Sequence, residues 1–255
     1  MPTEEQRRRT LERFERHRRA WEENPALRAL YADWYGRIAA ALPPLELGPR
    51  IELGSGPGFA RGFVPDLELT DLVAAPWHDR ALGAEEIAVA DASVGALVLF
   101  DVLHHLPSPR RFFAEATRVL RPSGRIVLCE PFISALSYPV YKLLHEEPVD
   151  MSVDPLALAP APGAVAEKDP FDSNQAIPTV LFGRHRAAFQ RAFPALEIVA
   201  IQRLAGPSYP ASGGFSRRAL LPGSLWTALH GLERHLPESL FRLIGFRLLV
   251  VIERK

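Results

Sequence analysis

Apolar residues recur at helical spacing in the first forty-odd positions and at strand spacing from residue 50 onward. Residues 4–23 are densely charged, with Leu11, Phe14 and Trp21 at helical intervals, and predict a solvated helix. Asn24-Pro25 has the form of an N-cap followed by proline at the first helical position. Leu27, Leu30, Tyr31, Trp34, Tyr35 and Ile38 then fall on one helical face, and Pro43-Pro44 stops it. Ile51–Leu53 predicts a short strand that runs into glycines, and Leu67–Leu72 a second that reaches Asp71. Ala96–Val102, apolar on both faces, has the pattern of a strand inside a parallel sheet. Ser108-Pro109 starts a helix striped by Phe112, Phe113, Ala116, Val119 and Leu120, and Arg125–Glu130 is the next strand. Such alternation implies right-handed crossovers and a doubly wound α/β sheet. Thr179–Phe193 is a helix candidate, Leu196–Arg203 a strand, 224–244 two helices broken near Pro237, and Gly245–Glu253 a closing strand. The proline-rich stretch 148–178 shows little periodicity, as expected of a lid over a substrate or of a disordered segment.

Composition narrows the function. The 30 basic and 30 acidic residues balance to zero, and all the basic ones except Lys142, Lys168 and Lys255 are Arg. A neutral chain lacks the basic field that gripping nucleic acid or an anionic membrane requires. The single Cys129, in an apolar stretch, excludes an internal disulfide and a cysteine zinc cluster and reads as a small buried thiol. No acid cluster has metal-ligand spacing, so no metal is expected. The charged start of the chain lacks the apolar core of a secretory signal, and Ala96–Phe100 and Leu248–Ile252 are too short to span a bilayer. The expectation is a soluble, cytoplasmic protein.

The sharpest motif is Glu52-Leu53-Gly54-Ser55-Gly56-Pro57-Gly58 at the end of the first strand. Glycines there let the backbone turn tightly against a ligand, and a following helix would offer free N–H groups. Asp71, ending the second strand, is placed to accept hydrogen bonds from both ribose hydroxyls of an adenosine. The glycine spacing differs from the Gly-x-Gly-x-x-Gly of dinucleotide sites, and Glu52 would repel a pyrophosphate but suit a cationic ligand.

This glycine motif resembles motif I of the class I S-adenosylmethionine-dependent methyltransferases. Asp101-Val102-Leu103-His104-His105-Leu106-Pro107, followed by Glu115-Ala116, Arg118-Val119-Leu120-Arg121-Pro122 and Gly124, resembles the later signature of the ubiquinone-, menaquinone- and biotin-pathway type. The resemblance implies a Rossmann-like, seven-stranded, mostly parallel sheet. It divides the chain into an N-terminal helical cap at 1–44 and a methyltransferase domain at 45–255, with substrate-side insertions at about 135–195 and 205–244. It puts the cofactor's methionine end at Gly54, Ser55 and Gly56, steered by Glu52. The ribose would rest on Asp71, the adenine near Leu72 and Ala84, and the sulfonium above Phe100. Two positions depart from the family's pattern: Gly83 stands where an acid usually meets the adenine, unless Glu85 substitutes, and Gly95 where an aspartate usually precedes the fourth strand.

In this family His104 and His105 commonly serve packing and hydrogen bonding. Tyr138, Tyr141 and His145, candidates for the acceptor pocket, would share one face of a helix, which makes His145 a candidate base for a hydroxyl acceptor. Ser208–Arg218, with Gly213-Gly214, Tyr209 and Arg217, could hold an anionic acceptor by backbone N–H groups and bidentate contacts, or could be a plain turn with solvated charges. The leading expectation is methyl transfer to a small molecule: a sugar, lipid or secondary metabolite. A partner-binding protein that has lost catalysis and a nicotinamide oxidoreductase are the competing readings.

Overall fold

A computed structural model describes residues 2–157 and 173–255. Two helices come first: α1 (Glu4–Glu23), capped by Thr3, and α2 (Pro25–Ala41), capped by the Asn24 side chain at 3.1 Å from Leu27 N. The strands are β1 (Arg50–Leu53), β2 (Leu67–Asp71), β3 (Arg80–Ala81), β4 (Val94–Phe100), β5 (Leu120–Pro131), β6 (Leu196–Leu204) and β7 (Arg247–Arg254). The later helices are α3 (Pro109–Val119), α4 (Ser137–Leu144), α5 (Ile177–Phe182), α6 (Arg186–Ala192), α7 (Ser208–Ala211), α8 (Gly223–Glu233) and α9 (Glu238–Ile244). The sheet order is β3-β2-β1-β4-β5-β7-β6, with β7 antiparallel to both its neighbours and the other pairings parallel. This is the doubly wound, seven-stranded sheet expected from the sequence. The order reverses between β1 and β4, which opens a crevice at their carboxyl ends.

Strand pleating sorts the apolar residues to two sides. Leu97, Leu99, Ile126, Leu128, Val250 and Ile252 pack with Phe112 and Phe113 of α3. Ala96, Val98, Val127, Cys129 and Val251 pack on the other side with Leu27, Leu30, Trp34 and Ile38 of α2. Cys129 is fully buried there, and burial pushes its thiol up to about 11, so it behaves as a small apolar side chain.

Several local expectations shift. No α-helix follows the glycine loop: the β1–β2 connection holds one 3-10 turn, Phe59–Gly62. α2 covers β2, β4 and β5 on that side. The helix candidate 179–193 is two short helices, because Gly183 breaks it. Of the proline-rich stretch, 158–172 lies outside the described residues. Among the described residues no helix is long and apolar enough to cross a membrane.

Gly95 has a steric reason. Gly95 is the second residue of β4, and a Cβ there would lie 2.7 Å from Gly48 O and 3.0 Å from Gly48 N, so no aspartate fits at that position. Gly95→Ala is accordingly expected to destabilise the protein by roughly 1–3 kcal/mol, the usual cost of overpacking. Urea unfolding would check it, and unchanged stability would disprove the tight Gly48–Gly95 approach.

Candidate active site

The glycine loop sits in the crevice between β1 and β4. Gly54 has φ +71°, and a Cβ there would lie 2.5 Å from Val102 Cγ2, so the loop needs glycine for both backbone and space. Ser55 is used structurally: its N–H donates to Thr70 O at 2.8 Å and its Oγ accepts from Thr70 N at 3.1 Å. Asp71 accepts from Gly56 N and Val73 N, each at 3.0 Å. A carboxylate has further lone pairs, so these bonds leave room for ligand hydroxyls.

Without a helix behind it, the loop is braced from the side. Trp77 Nε1 donates to Gly56 O at 2.7 Å, and His78 Nε2 lies 2.8 Å from the same oxygen. Arg18 of α1 lies over the Trp77 ring at 4.4 Å and donates to Pro57 O at 2.9 Å. The sequence signal for this brace is weak, because an aromatic and a histidine in a loop have no diagnostic spacing.

Glu52 is buried, with Tyr35 OH donating to its Oε1 at 2.9 Å. Its Oε2 has no hydrogen-bond partner among the described residues. Burial, only partly offset by the Ser55 and Tyr35 hydroxyls, pushes this carboxyl up to about 7. Asp71 is also raised by burial, against the N–H groups of Val73 and Gly56.

A cavity of about 1630 Å³ opens over these groups. Its wall contains Glu52, Gly54, Ser55, Gly56, Asp71, Leu72, Ala84 and Phe100, so the structure brings together every residue expected to hold the cofactor. Gly83 bridges to Glu86, and a Cβ there would lie 3.6 Å from Leu72 Cδ1, while Glu85 Oε1 accepts from Ser108 N. Helix α1 roofs the cavity through Thr10, Phe14 and His17, with His17 stacked on Phe215 at 4.4 Å. Burial, aided by Arg13 and Arg16, holds His17 down at about 4.

The acceptor candidates separate. Tyr141, Tyr209, Arg217 and His145 line the cavity, whereas Tyr138 is not part of its wall. Tyr138 lies on the outer side of α4 with its hydroxyl accepting from Lys142 Nζ, because Ser137 and Tyr141 form the buried edge of that short helix. Tyr141 OH donates to Phe246 O at 2.8 Å, and burial raises Tyr209 to about 12. His145 Nδ1 accepts from Glu147 N at 3.3 Å. The neutral ring thus presents Nε2–H, a donor, and the expected role of His145 as a base would require breaking that bond. The Gly213-Gly214 turn satisfies its own N–H groups on Pro210 O and Ser212 Oγ, which corrects the expectation of a backbone anion cradle.

Two polar arrangements escaped the sequence. Arg247, 2% exposed, sits over Trp34 and Phe100 at 4.9 and 5.0 Å and donates to Asp101 Oδ1 at 2.6 Å and Cys129 O at 3.2 Å. His104 lies between Glu130 Oε2, 2.7 Å from Nδ1, and Glu147 Oε2, 3.4 Å from Nε2. Burial pulls His104 down, but its bonds to the two carboxylates outweigh that and lift it to about 10. Glu130 and Arg247 were visible only as lone charges at strand ends.

A family model described as a methyltransferase domain matches residues 74–128. No curated protein matches the chain in sequence. Among solved structures, geranyl diphosphate methyltransferase in complex with SAM superposes with a TM-score of 0.50 at 15% identity, over 94% of this chain and 90% of that one. Geranyl diphosphate C-methyltransferase from Streptomyces coelicolor A3(2) gives 0.49 at 14% identity, over 94% and 83%. At such identity the superposition at 0.50 speaks to the fold alone.

Glu52 yields a pH test. Its folded value of about 7 exceeds the ordinary 4.5, so its contribution to stability is full below about 4.5 and is lost as pH rises through 7. Between pH 5 and 8 the wild type should lose on the order of 2–3 kcal/mol that Glu52→Gln does not. Urea unfolding at both pH values reads the difference, and parallel curves would refute it.

Proposed function

We propose that this chain, an S-adenosylmethionine-dependent methyltransferase by domain and fold, methylates an oxygen, ionised before the transfer, of an apolar small molecule. The carrying observation is the cavity shared by the glycine loop and Asp71. At about 1630 Å³ it exceeds the roughly 300–1,000 Å³ of single-ligand pockets and has room for cofactor and acceptor together. S-adenosylmethionine suits the residues present. The orphaned Glu52 Oε2 would receive its ammonium group, the Gly54–Gly56 backbone would pack against its methionine end, and Asp71 would receive its ribose hydroxyls. Leu72 and Ala84 would flank the adenine, with Phe100 beneath the sulfonium. The bound cofactor supplies an electrophilic methyl group, and the chain supplies alignment and dryness.

For the acceptor, the support is the rim. Leu143, Leu144 and Leu220 line the cavity although they are 76%, 57% and 69% exposed. Exposed leucines at a cavity mouth favour a lipid-like or aromatic acceptor over a sugar. Arg217 at the same mouth suits an acidic group on that molecule. In this reading Tyr141, Tyr209 and His145 shape the acceptor end, with His145 donating from Nε2.

Calorimetric titration should show S-adenosylhomocysteine binding and no NADH binding. Asp71→Ala should weaken the former by about tenfold or more, the scale of lost charge-assisted hydrogen bonds. A chain that ignores S-adenosylhomocysteine would sink the assignment. Labelled-methyl transfer to a panel of hydroxylated apolar compounds and to free sugars tests the acceptor class. With the best acceptor, Leu144→Asp should raise KM about tenfold while leaving S-adenosylhomocysteine affinity unchanged. Transfer to sugars alone would overturn the apolar class.

A further inference from the structure

Three donor groups of the cavity wall converge. The ligand atoms of His104, His105 and Glu147 all lie within 4.8 Å of one another. His104 Nε2 is 3.4 Å from Glu147 Oε2, and His105 Nε2 is 3.6 Å from Glu147 Oε1. Two ligands bound at ~2.0–2.1 Å around a tetrahedral cation stand about 3.3–3.4 Å apart. Two of the three pairs are therefore already close to the edge lengths of a metal site, each through a different oxygen of Glu147.

Two of the ligands are held from behind. Glu130, fully buried at the end of β5, contacts His104 Nδ1 at 2.7 Å and accepts from Val102 N and Leu103 N, each at 2.8 Å. This bond turns Nε2 toward Glu147, the carboxylate–imidazole–cation arrangement that orients metal-binding histidines. Gln175, 2% exposed, donates from Nε2 to Glu147 Oε2. Its Oε1 has no hydrogen-bond partner among the described residues, and the side chain belongs to the cavity wall. A buried amide oxygen without a donor needs one, and a water on a cation bound by Glu147 would supply it.

We propose that His104, His105 and Glu147 bind a divalent transition-metal cation of the zinc type, with its open positions toward the cavity. Two imidazoles and one carboxylate suit zinc or its neighbours, whereas magnesium and calcium prefer oxygen ligands alone. The cation's place in the wall makes it an anchor for the acceptor's oxygen. That role rests on the methyltransferase reading; the binding itself does not.

The test titrates the full chain with Co²⁺ alone, followed by visible d–d absorption, and with Zn²⁺ by equilibrium dialysis. S-adenosylhomocysteine calorimetry is run on the same samples. One equivalent of metal should bind, and Glu147→Gln and His105→Gln should each weaken it about 100-fold, with S-adenosylhomocysteine affinity kept. Wild-type protein that binds S-adenosylhomocysteine but no stoichiometric Co²⁺ or Zn²⁺ overturns the site, as does equal metal binding in both variants. Metal uptake lost in the variants, in a chain indifferent to S-adenosylhomocysteine, would support the cation site while refuting the cofactor reading.

Discussion

The buried guanidinium of Arg247 is the interaction on which the cavity floor depends. Removing such a cation from water costs several kcal/mol unless partners surround it. Here Asp101 supplies the opposite charge, Cys129 O a further acceptor, and the faces of Trp34, Phe100 and Tyr209 the stacking surface. Those partners come from the end of β4, from β5, from α2 and from α7. Asp101 adopts φ +57° in this arrangement, a left-handed backbone that the tight pairing over-determines. One cation thereby fixes the strand end, the helix and the aromatic wall that the site requires.

A second constraint follows from the short β1–β2 connection. A parallel pair normally places a crossover helix on one face of the sheet. With only a 3-10 turn there, the apolar side chains of Leu67, Leu69, Ala96 and Val98 are covered by α2, which reaches them from the N-terminal side of the chain. The cap is thus part of the core, and α1 is carried with it over the cavity. Arg18 and Phe14 reach the glycine loop's brace at Trp77 and His78, and His17 reaches Phe215. Roof and floor are one packing unit.

Legibility followed the range of the interaction. Gly54–Gly58 and Asp71 were readable because local backbone geometry and strand position dictate their types, and the cavity contains the positions expected beside them. Gly95 looked like a defect in a motif and is a close approach to Gly48. Tyr138 and His145 were read from helical spacing alone, which cannot tell the cavity side from the outer side of an eight-residue helix or show which ring nitrogen is engaged. His104, Glu130 and Glu147 come from three separate segments, so no spacing rule could join them.

By itself the sequence determined the alternation of strands and helices, the two-sided apolar core and the glycine-and-acid motif, because period, capping and glycine geometry act over a few residues. Tertiary structure alone decided how α2 replaced a crossover helix, how Arg247 found Asp101, and how two histidines met Glu147 across the cavity wall. Those contacts join residues far apart along the chain, and their free energy depends on burial and distance that only the folded sheet sets.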